Sequence, residues 1–496
     1  MPGLDQTRMP LLDALLHYAD SGVTRFHMPG HKGGVAVNDR LAQAFGNRTL
    51  AMDATGVLGL DDLHQPGGVI AEAQELAADA FGADHTFFLV GGTSAGVQAM
   101  VLAACNPGDE IIVGRNLHKS AQAGLVLGGA KPVYLQPEVD ESLGISLGVT
   151  PEAVAAAIRS HPQARAVLVV SPTYHGVTSD LASIARLAHD TGMMLLVDEA
   201  HGAHFSFHQA FPMSALEAGA DMCAHGIHKV LGGLTQASML HAKGVRPDLP
   251  RLRRVLQMLQ STSASYLLLA SLDAARRDAA LQGERLLSGP LEWARRLRRE
   301  VRRLEPLTTF GLEVVGRPGC HGLDELKVNV NVSGLGLAGQ EAEVCLRDRW
   351  NIQAEMSDLV SVLFMLGPGS RPHDVERLLT ALAALVAVPE KARKAPLSRG
   401  QSVTPRSNAV GVPPLPPMAL TPREAFFQPA QPVLLREAVG LVAAELVTCY
   451  PPGIPIICPG EVVTPDILSH LELVAAAGLR VSGPGDPTLR TLRVLG

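Results

Sequence analysis

The chain has 496 residues, 47% of them hydrophobic and 18% charged, and a formal net charge of −6. This composition indicates a globular protein of about two to four domains, and the charge excludes a basic surface for nucleic acid or an anionic membrane. Residues 1–8 do not resemble a signal peptide, and no apolar run reaches the roughly 18 residues of a membrane span. The six cysteines show no zinc or disulfide spacing, so we expect reduced thiols, no metal site and a cytoplasmic protein.

The first predicted element is a short amphipathic helix near the N-terminus. Its apolar residues follow a helical spacing and are Leu11, Leu12, Leu15 and Leu16. We interpret residues 1–25 as an arm that packs on a partner subunit, and a first helix of the main domain is the alternative. A loop rich in glycine follows at residues 26–34 and allows the backbone to approach a ligand closely.

Short apolar strands then alternate with helices as far as about residue 198. Strands are predicted at 87–90, 111–113, 133–135, 166–170 and 194–197. Helices are predicted from about 118, from Pro151 with Thr150 as N-cap, and over 181–189. This alternation predicts a mainly parallel sheet that helices cover on both faces, with ligands bound at the carboxyl ends of the strands.

The remaining chain is predicted to be helical and then mixed. Helices are predicted at 251–259, 266–281 and 284–304, and residues 310–390 alternate in the manner of a smaller α+β domain. The predicted divisions are an arm (1–25), a large α/β domain (26–285), a small α+β domain (286–392), a proline-rich linker (393–420) and a C-terminal domain (421–496).

One lysine, Lys229, stands out because no other lysine or arginine lies within ten positions of it on either side. It follows an apolar run that ends in small and polar residues. Such a lysine is typical of one that forms a Schiff base at the mouth of a sheet. A surface lysine at a strand end is the alternative on this stretch alone.

Two further strand ends carry residues that complement this lysine. The glycine-rich turn at 91–96 opens a helix whose amides and hydroxyls could bind phosphate, although a turn capped by Thr93 would look similar. Asp198 ends an apolar strand and could hold a protonated pyridine nitrogen. A magnesium-binding aspartate is the alternative, but the chain lacks the P-loop that accompanies one. The order of phosphate loop, aspartate and lysine is typical of fold type I pyridoxal-phosphate enzymes.

The chain resembles the bacterial ornithine/lysine/arginine decarboxylase family, in its short form without a receiver-like domain. The matching motifs are PGHK (29–32), LDDLH (60–64), GTS (92–94), RNLHKS (115–120), SPTYHG (171–176), DEAHGAH (198–204), HK (228–229), LTQ (234–236), QSTSASY (260–266), YPPGIP (450–455) and PGE (459–461). The resemblance implies a fold type I large domain with a mainly parallel sheet, a smaller α+β domain and a C-terminal domain.

The resemblance also implies pyridoxal 5'-phosphate as cofactor and a role for individual residues. Lys229 would hold the cofactor covalently, and Asp198 would keep its pyridine nitrogen protonated. His118 would stack on the ring, with a helix-capping histidine as the alternative, and Ala200 would pack on the opposite face. His201 would border the carboxylate of the substrate. The phosphate would be bound by Gly92, Thr93, Ser94 and His228, and by Thr262 from a neighbouring subunit.

The sequence departs from the family pattern at a few positions. A serine or threonine usually stands at the position of Gly226, an asparagine is common at that of Gly91, and Ala264 replaces a proline. These departures concern phosphate geometry and substrate choice rather than the identity of the cofactor.

The substrate is predicted from two acids, Glu355 and Asp358, whose spacing would place them on one face of a helix. They would neutralise the distal charge of a basic amino acid, and an exposed helix start is the alternative. The predicted reaction is decarboxylation in polyamine biosynthesis, with arginine favoured over lysine and ornithine.

Two other functions are alternatives to decarboxylation. An aminotransferase would use an arginine such as Arg347 or Arg349 to bind the α-carboxylate. A non-catalytic regulatory homologue is disfavoured by the intact Lys229 and Asp198. The expected assembly is a homodimer, or a multiple of dimers, with a shared active site and no nucleic-acid or membrane partner.

Overall fold

The computed structural model describes residues 3–388, 413–450 and 453–496. The helices are α1 (Pro10–Asp20), α2 (Asp39–Met52), α3 (Val69–Phe81), α4 (Gly92–Ala104), α5 (Lys119–Gly128), α6 (Pro151–Ser160), α7 (Leu181–Asp190), α8 (Ile227–Val230), α9 (Leu249–Leu259), α10 (Tyr266–Val301), α11 (Gly339–Trp350), α12 (Pro372–Ala387), α13 (Pro422–Phe427) and α14 (Pro465–Ala476). The strands are β1 (His85–Leu89), β2 (Glu110–Gly114), β3 (Lys131–Leu135), β4 (Val139–Asp140), β5 (Ile145–Ser146), β6 (Ala166–Val170), β7 (Val177–Thr178), β8 (Met194–Asp198), β9 (Met222–His225), β10 (Ser238–Ala242), β11 (Gly322–Leu323), β12 (Lys327–Asn331), β13 (Met356–Ser357), β14 (Ser361–Met365), β15 (Ala430–Leu434), β16 (Val447–Tyr450), β17 (Ile454–Ile457), β18 (Arg480–Ser482) and β19 (Thr491–Leu495).

The first of two compact units combines Met1–Ala104 with Met194–Leu286. Its strands lie in the order β1-β10-β9-β8. The ladder between β8 and β9 is parallel, and β10 runs antiparallel to both of its neighbours. Strand β8 is a continuous apolar run that ends in an aspartate, and four of its five residues are buried. Such a run is typical of a strand that is covered on both faces.

The second unit combines Cys105–Met193 with Leu287–Gly496. Strands β6, β2 and β3 form parallel ladders, and β12, β14 and β13 form an antiparallel sheet. The C-terminal strands pack over their own apolar core. The guanidinium of Arg115 anchors this region, because it is buried and makes paired bonds to Glu461 at 2.5 and 2.8 Å.

The alternating elements predicted from the sequence are confirmed. Strands at 166–170 and 194–198, and helices at 151–160 and 181–190, lie where the pattern placed them. The hydroxyl of Thr150 accepts from the amide of Ala153 at 3.2 Å, as the predicted N-cap requires.

The prediction of two helices at 266–281 and 284–304 is wrong, because a single helix, α10, continues through both. Gly283, which lies between the two predicted helices, is a packing residue. A Cβ atom at this position would lie 2.6 Å from the Cβ of Phe207, so only a glycine allows the close approach.

The N-terminal helix is confirmed, but its apolar side is covered by the same chain. Leu11 and Leu15 are fully buried, and the amide of Leu11 donates to Asp273 at 3.0 Å. These leucines are therefore part of the first unit's core, which favours the alternative of a first domain helix over an arm on a partner. The predicted linker at 393–420 lies outside the described residues as far as residue 412.

Candidate active site

The lysine singled out in the sequence lies just beyond the end of β9. A turn at Gly226 leads into the short helix α8, which carries His228 and Lys229. The Nζ of Lys229 lies 3.0 Å from the Nε2 of His201. The lysine is half-buried, so its amine is held by the fold yet remains partly accessible.

A glycine at position 226 is needed for the lysine side chain to take this path. A Cβ atom at Gly226 would lie 2.7 Å from the carbonyl oxygen of Ala200 and 3.0 Å from the Cδ of Lys229. Real Cβ atoms essentially never approach another atom to 2.7 Å. Gly226, where the family pattern usually has a serine or threonine, is therefore the residue type that the local packing accepts.

Asp198 is brought close to this lysine loop by the parallel pairing of β8 and β9. The register opposes Asp198 to Ala224, and the next hydrogen bond runs from the amide of Gly226 to the carbonyl of Ala200 at 3.1 Å. Asp198 is 5% exposed, and its Oδ1 accepts from the amide of Ala200 at 3.2 Å. A buried carboxylate at a strand end suits a cationic partner, because an unpaired buried charge is costly.

The predicted phosphate loop is the N-terminus of α4. Gly92 has a φ of +71°, which favours glycine, and the helix begins at this residue. Thr93 is buried, and its Oγ1 lies 3.1 Å from the Oγ of Ser238. Ser94 is half-buried in the first turn. The free amides of a helix N-terminus and the two hydroxyls form a suitable site for an anion.

His228 is half-buried and bonded to the main chain. Its Nδ1 donates to the carbonyl of Ala237 at 3.0 Å, since a carbonyl can only accept. Burial lowers the pKa of His228, the charge of Lys229 lowers it further, and the bond to Ala237 opposes both effects. In the neutral ring Nε2 is therefore an acceptor, and His228 needs a second proton to donate to a phosphate.

His118, in the second unit, is the N-cap of α5. Its Nδ1 accepts from the amide of Ser120 at 3.2 Å and lies 2.8 Å from the Oγ of the same residue. The capping role that the sequence left open is therefore present. Capping fixes the orientation of the ring and is compatible with stacking, which remains a prediction.

The prediction that Glu355 and Asp358 share one face of a helix is wrong, because neither residue lies on a helix. Helix α11 ends at Trp350, and Glu355 is an exposed residue directly before β13, whose ladder with β14 sets the local conformation. Asp358 is buried, and its carboxylate accepts from the amides of Val360 and Ser361 at 2.8 and 2.6 Å. It therefore holds a turn, and the two acids do not share one helix face.

With this geometry established, comparison with known proteins identifies the family. The family model described as Orn/Lys/Arg decarboxylase, major domain, matches residues 9–374, and the model for the C-terminal domain of the same family matches residues 407–485.

The chain belongs to the Orn/Lys/Arg decarboxylase family.

Curated relatives agree with this family. The chain is 42% identical over 492 residues to a protein named arginine decarboxylase from Bacillus subtilis, a match that covers 99% of each chain. It is 30% identical over 569 aligned positions to lysine decarboxylase LdcA of Pseudomonas aeruginosa, covering 93% of this chain and 75% of the relative. Membership in this family confirms the prediction of an amino acid decarboxylase, and the aminotransferase alternative gains no support.

A solved structure shows the same fold. Lysine decarboxylase A from Pseudomonas aeruginosa superimposes with a TM-score of 0.82 at 25% identity, covering 98% of this chain and 80% of the other. The predicted fold type I α/β architecture is thereby confirmed. Among the described helices, none combines the length and apolar character that crossing a membrane would require.

The first unit fits the pyridoxal 5'-phosphate that the family implies. A partly accessible primary amine, Lys229, and a buried carboxylate, Asp198, follow adjacent strands. Gly92 supplies the positive φ at which α4 begins, and Gly226 leaves free the space that a Cβ atom would fill. Thr262, the residue expected to reach a neighbour's phosphate, is exposed, which leaves it accessible to a second chain.

Sequence reasoning missed two glutamines that hold the strand leading to the phosphate loop. The side chain of Gln260 accepts from the amide of Val90 at 2.9 Å, and that of Gln236 donates to the Val90 carbonyl at 2.7 Å. Both lie in motifs that were recognised, LTQ and QSTSASY, but no local pattern shows that they bond to the same residue. They fix the chain one residue before the glycine turn.

Sequence reasoning also found no clustered metal ligands, whereas the fold brings three potential ligands together. Glu199, Cys223 and His225 are buried, and one ligand atom from each lies within 4.8 Å of the others. The Nε2 of His225 lies 2.7 Å from the Oε2 of Glu199, and the sulfur of Cys223 lies 3.7 Å from the same nitrogen. Hydrogen bonding among the three side chains therefore accounts for their proximity.

Proposed function

We propose that the chain decarboxylates a basic amino acid, with arginine as the preferred substrate, by means of pyridoxal 5'-phosphate held on Lys229. The observation that carries this proposal is the amine of Lys229 beside His201, one strand away from the buried carboxylate of Asp198. Arginine is placed first because the full-length relative from Bacillus subtilis carries the name arginine decarboxylase. The product would be agmatine, which makes the reaction a step in polyamine biosynthesis.

The cofactor, when bound, supplies an electron sink for the electron pair that loss of carbon dioxide leaves behind. Asp198 contributes a negative charge that keeps a pyridine nitrogen protonated. Lys229 and His201 can hold one proton between them, because their nitrogens lie 3.0 Å apart. This pair can return a proton to the carbon from which the carboxylate has left.

The remaining cofactor contacts are proposed from the motif positions. Thr93 and Ser94 would bind the phosphate together with the amides of the α4 N-terminus, and a protonated His228 would add a charged donor. Ala200, which is small and buried, would lie against one face of the ring, and His118 would stack on the other.

The distal guanidinium of the substrate needs a carboxylate, because burial of an unpaired cation is costly. Of the two acids, Glu355 is exposed, whereas Asp358 already accepts three hydrogen bonds, from Val360 and twice from Ser361. We therefore assign the contact to Glu355 and give Asp358 the role of holding the turn that follows β13.

We further propose that the active form is a cytoplasmic homodimer, or a multiple of dimers. Several apolar side chains of the first unit are strongly exposed, with Phe26 94% and Val35 88% accessible, and Leu58 fully so. A second copy would cover them and would bring its Thr262 to the phosphate. Sedimentation of the active enzyme tests this assembly, and an active monomer would refute it.

The test of the function is carbon dioxide release from arginine, lysine and ornithine, measured side by side at equal concentrations. We expect the highest kcat/KM for arginine and agmatine as the product in a one-to-one ratio with carbon dioxide. A higher value for lysine would retain the decarboxylase but overturn the assignment of substrate. Amino-group transfer to a keto acid without carbon dioxide release would refute the function.

A further inference from the structure

The loops that carry Asp198 and Lys229 are joined by three successive contacts beyond the last paired residues of β8 and β9. The ladder ends with Asp198 opposite Ala224. The first contact beyond it joins the side chains of Glu199 and His225, whose Oε2 and Nε2 lie 2.7 Å apart.

The second and third contacts continue in the same direction. The amide of Gly226 donates to the carbonyl of Ala200 at 3.1 Å, and the amine of Lys229 lies 3.0 Å from His201. The second contact is made by backbone atoms, and the third involves the reactive lysine itself. The contact between Glu199 and His225 is the one that a side-chain substitution can remove without touching a group assigned to the cofactor.

The Glu199–His225 pair is built into the core rather than placed by chance at the surface. Both side chains are 1% exposed, and the amide of Ala215 donates to both carboxylate oxygens of Glu199 at 2.9 and 3.1 Å. The imidazole of His225 lies against Phe81, with ring centroids 5.3 Å apart, and against His241 at 4.7 Å. Burial and these contacts hold the pair in its observed geometry.

We propose that Glu199 and His225 are positioning residues that set the separation of the Asp198 and Lys229 loops, and so the geometry of the bound cofactor. This inference rests on the proposed function. Glu199 is adjacent to Asp198 in the chain, and His225 lies four residues before Lys229, so a change in the separation of the pair moves both loops. Neither residue is assigned a contact with the cofactor or the substrate.

The chain offers a matched control at the opposite ends of the same two strands. Asp221 directly precedes β9, is 2% exposed, and accepts from the amide of Leu195, near the start of β8, at 2.7 Å. It too is a buried acid that links β8 to β9. It lies about 13 Å from the strand ends that carry the site, because a strand rises about 3.3 Å per residue.

The experiment compares Glu199→Ala with Asp221→Ala in the holoenzyme. For each we would measure the melting temperature, the dissociation constant for pyridoxal 5'-phosphate and the visible circular dichroism of the bound cofactor. Both substitutions should lower the melting temperature. Glu199→Ala alone should raise the dissociation constant, by about tenfold, and diminish the visible signal per bound cofactor.

A conservative variant separates positioning from general destabilisation. Glu199→Gln keeps an oxygen that can accept from His225 and should recover most of the visible signal. If Glu199→Ala does not fold, the double variant Glu199→Leu with His225→Phe fills the same space without leaving a lone charge. It should fold, and it should show the weakened cofactor signature.

Two results would overturn the inference: a dissociation constant and visible signal within twofold of wild type in Glu199→Ala or the double variant, or equal changes in Asp221→Ala. Failure of the proposed function gives a different result, because the wild-type protein itself would then show no cofactor band or would release no carbon dioxide from a basic amino acid. The inference and the function on which it rests are therefore tested separately.

Discussion

The Nζ of Lys229 and the Nε2 of His201, 3.0 Å apart, join the loops that follow two adjacent parallel strands. A charged amine has no lone pair and must donate, so the Nε2 of His201 accepts and its proton lies on Nδ1. A substrate carboxylate can bind at the same nitrogen only when that nitrogen carries a proton. The same imidazole can therefore accept from the free amine of Lys229 through Nε2, or donate from Nε2 to a substrate carboxylate once its proton lies on that nitrogen.

The first prediction concerns the charge at the end of β8. Asp198→Asn removes the carboxylate that would keep the pyridine nitrogen protonated. The loss of one such electrostatic contact costs about 2.7–4 kcal/mol, so kcat should fall by about 100- to 1,000-fold. The measurement is steady-state carbon dioxide release, with Asp248→Asn, which alters a helix N-cap in the same unit, as control. Near-normal turnover in Asp198→Asn would show that this carboxylate has another role.

The second prediction concerns the glycine before the lysine helix. Gly226→Ser restores the residue type common in the family, but its Cβ would lie 2.7 Å from the carbonyl oxygen of Ala200. We expect weaker cofactor binding, because Lys229 or the Ala200 loop must shift. Gly232→Ser is the control, since a Cβ there meets nothing within 4 Å. A cofactor titration in which Gly226→Ser binds as tightly as wild type would contradict the packing argument.

The third prediction separates the two acids of the second unit. Glu355→Gln should raise the KM for arginine by about tenfold or more, because a hydrogen bond to a charged group contributes about 1.5–3 kcal/mol. Cofactor binding should be unchanged. Asp358→Ala should instead lower the melting temperature, because the turn amides of Val360 and Ser361 lose their acceptor. Wild-type kinetics in Glu355→Gln would mean that the guanidinium is bound elsewhere.

The fourth prediction concerns acid sensitivity at His241, whose pKa burial lowers well below the usual value, with His225 acting in the same direction. Below about pH 6.5 His241 binds a proton in the unfolded chain but not in the native state, so the free energy of unfolding falls as the pH drops. One such histidine contributes up to about 1.4 kcal/mol per pH unit. His241→Gln should therefore lose less stability than wild type between pH 7 and pH 5 in chemical denaturation. Equal losses would show that other groups set the acid sensitivity.

Local patterns predicted the elements that depend on local rules. The strands that end at Asp198 and near Gly91 were placed correctly because they are short apolar runs followed by glycine or an acid. The break predicted between residues 281 and 284 was wrong, because the helix continues through Gly283, which packs against Phe207 in a contact that no local pattern reveals. The helix at 355–358 was wrong because acidic spacing alone cannot distinguish a helix from a strand edge.

The residues of the candidate site likewise fall into those that local patterns predict and those that they do not. Lys229, Asp198 and the phosphate loop were found because their order along the chain is distinctive. The Glu199–His225 contact and the glutamines around Val90 were not found, because they join positions that lie 26 to 170 residues apart. Such contacts follow from strand order, which the sequence pattern does not specify.

The most direct test of the account is chemical capture of the cofactor. Borohydride reduction of the enzyme, followed by digestion and mass spectrometry, should find the reduced cofactor on the peptide that contains Lys229, and Lys229→Ala should capture none and release no carbon dioxide from arginine. A label on Lys32 or Lys119, or a Lys229→Ala variant that still captures cofactor and turns over, would contradict the central claim that the lysine after β9 is the reactive one.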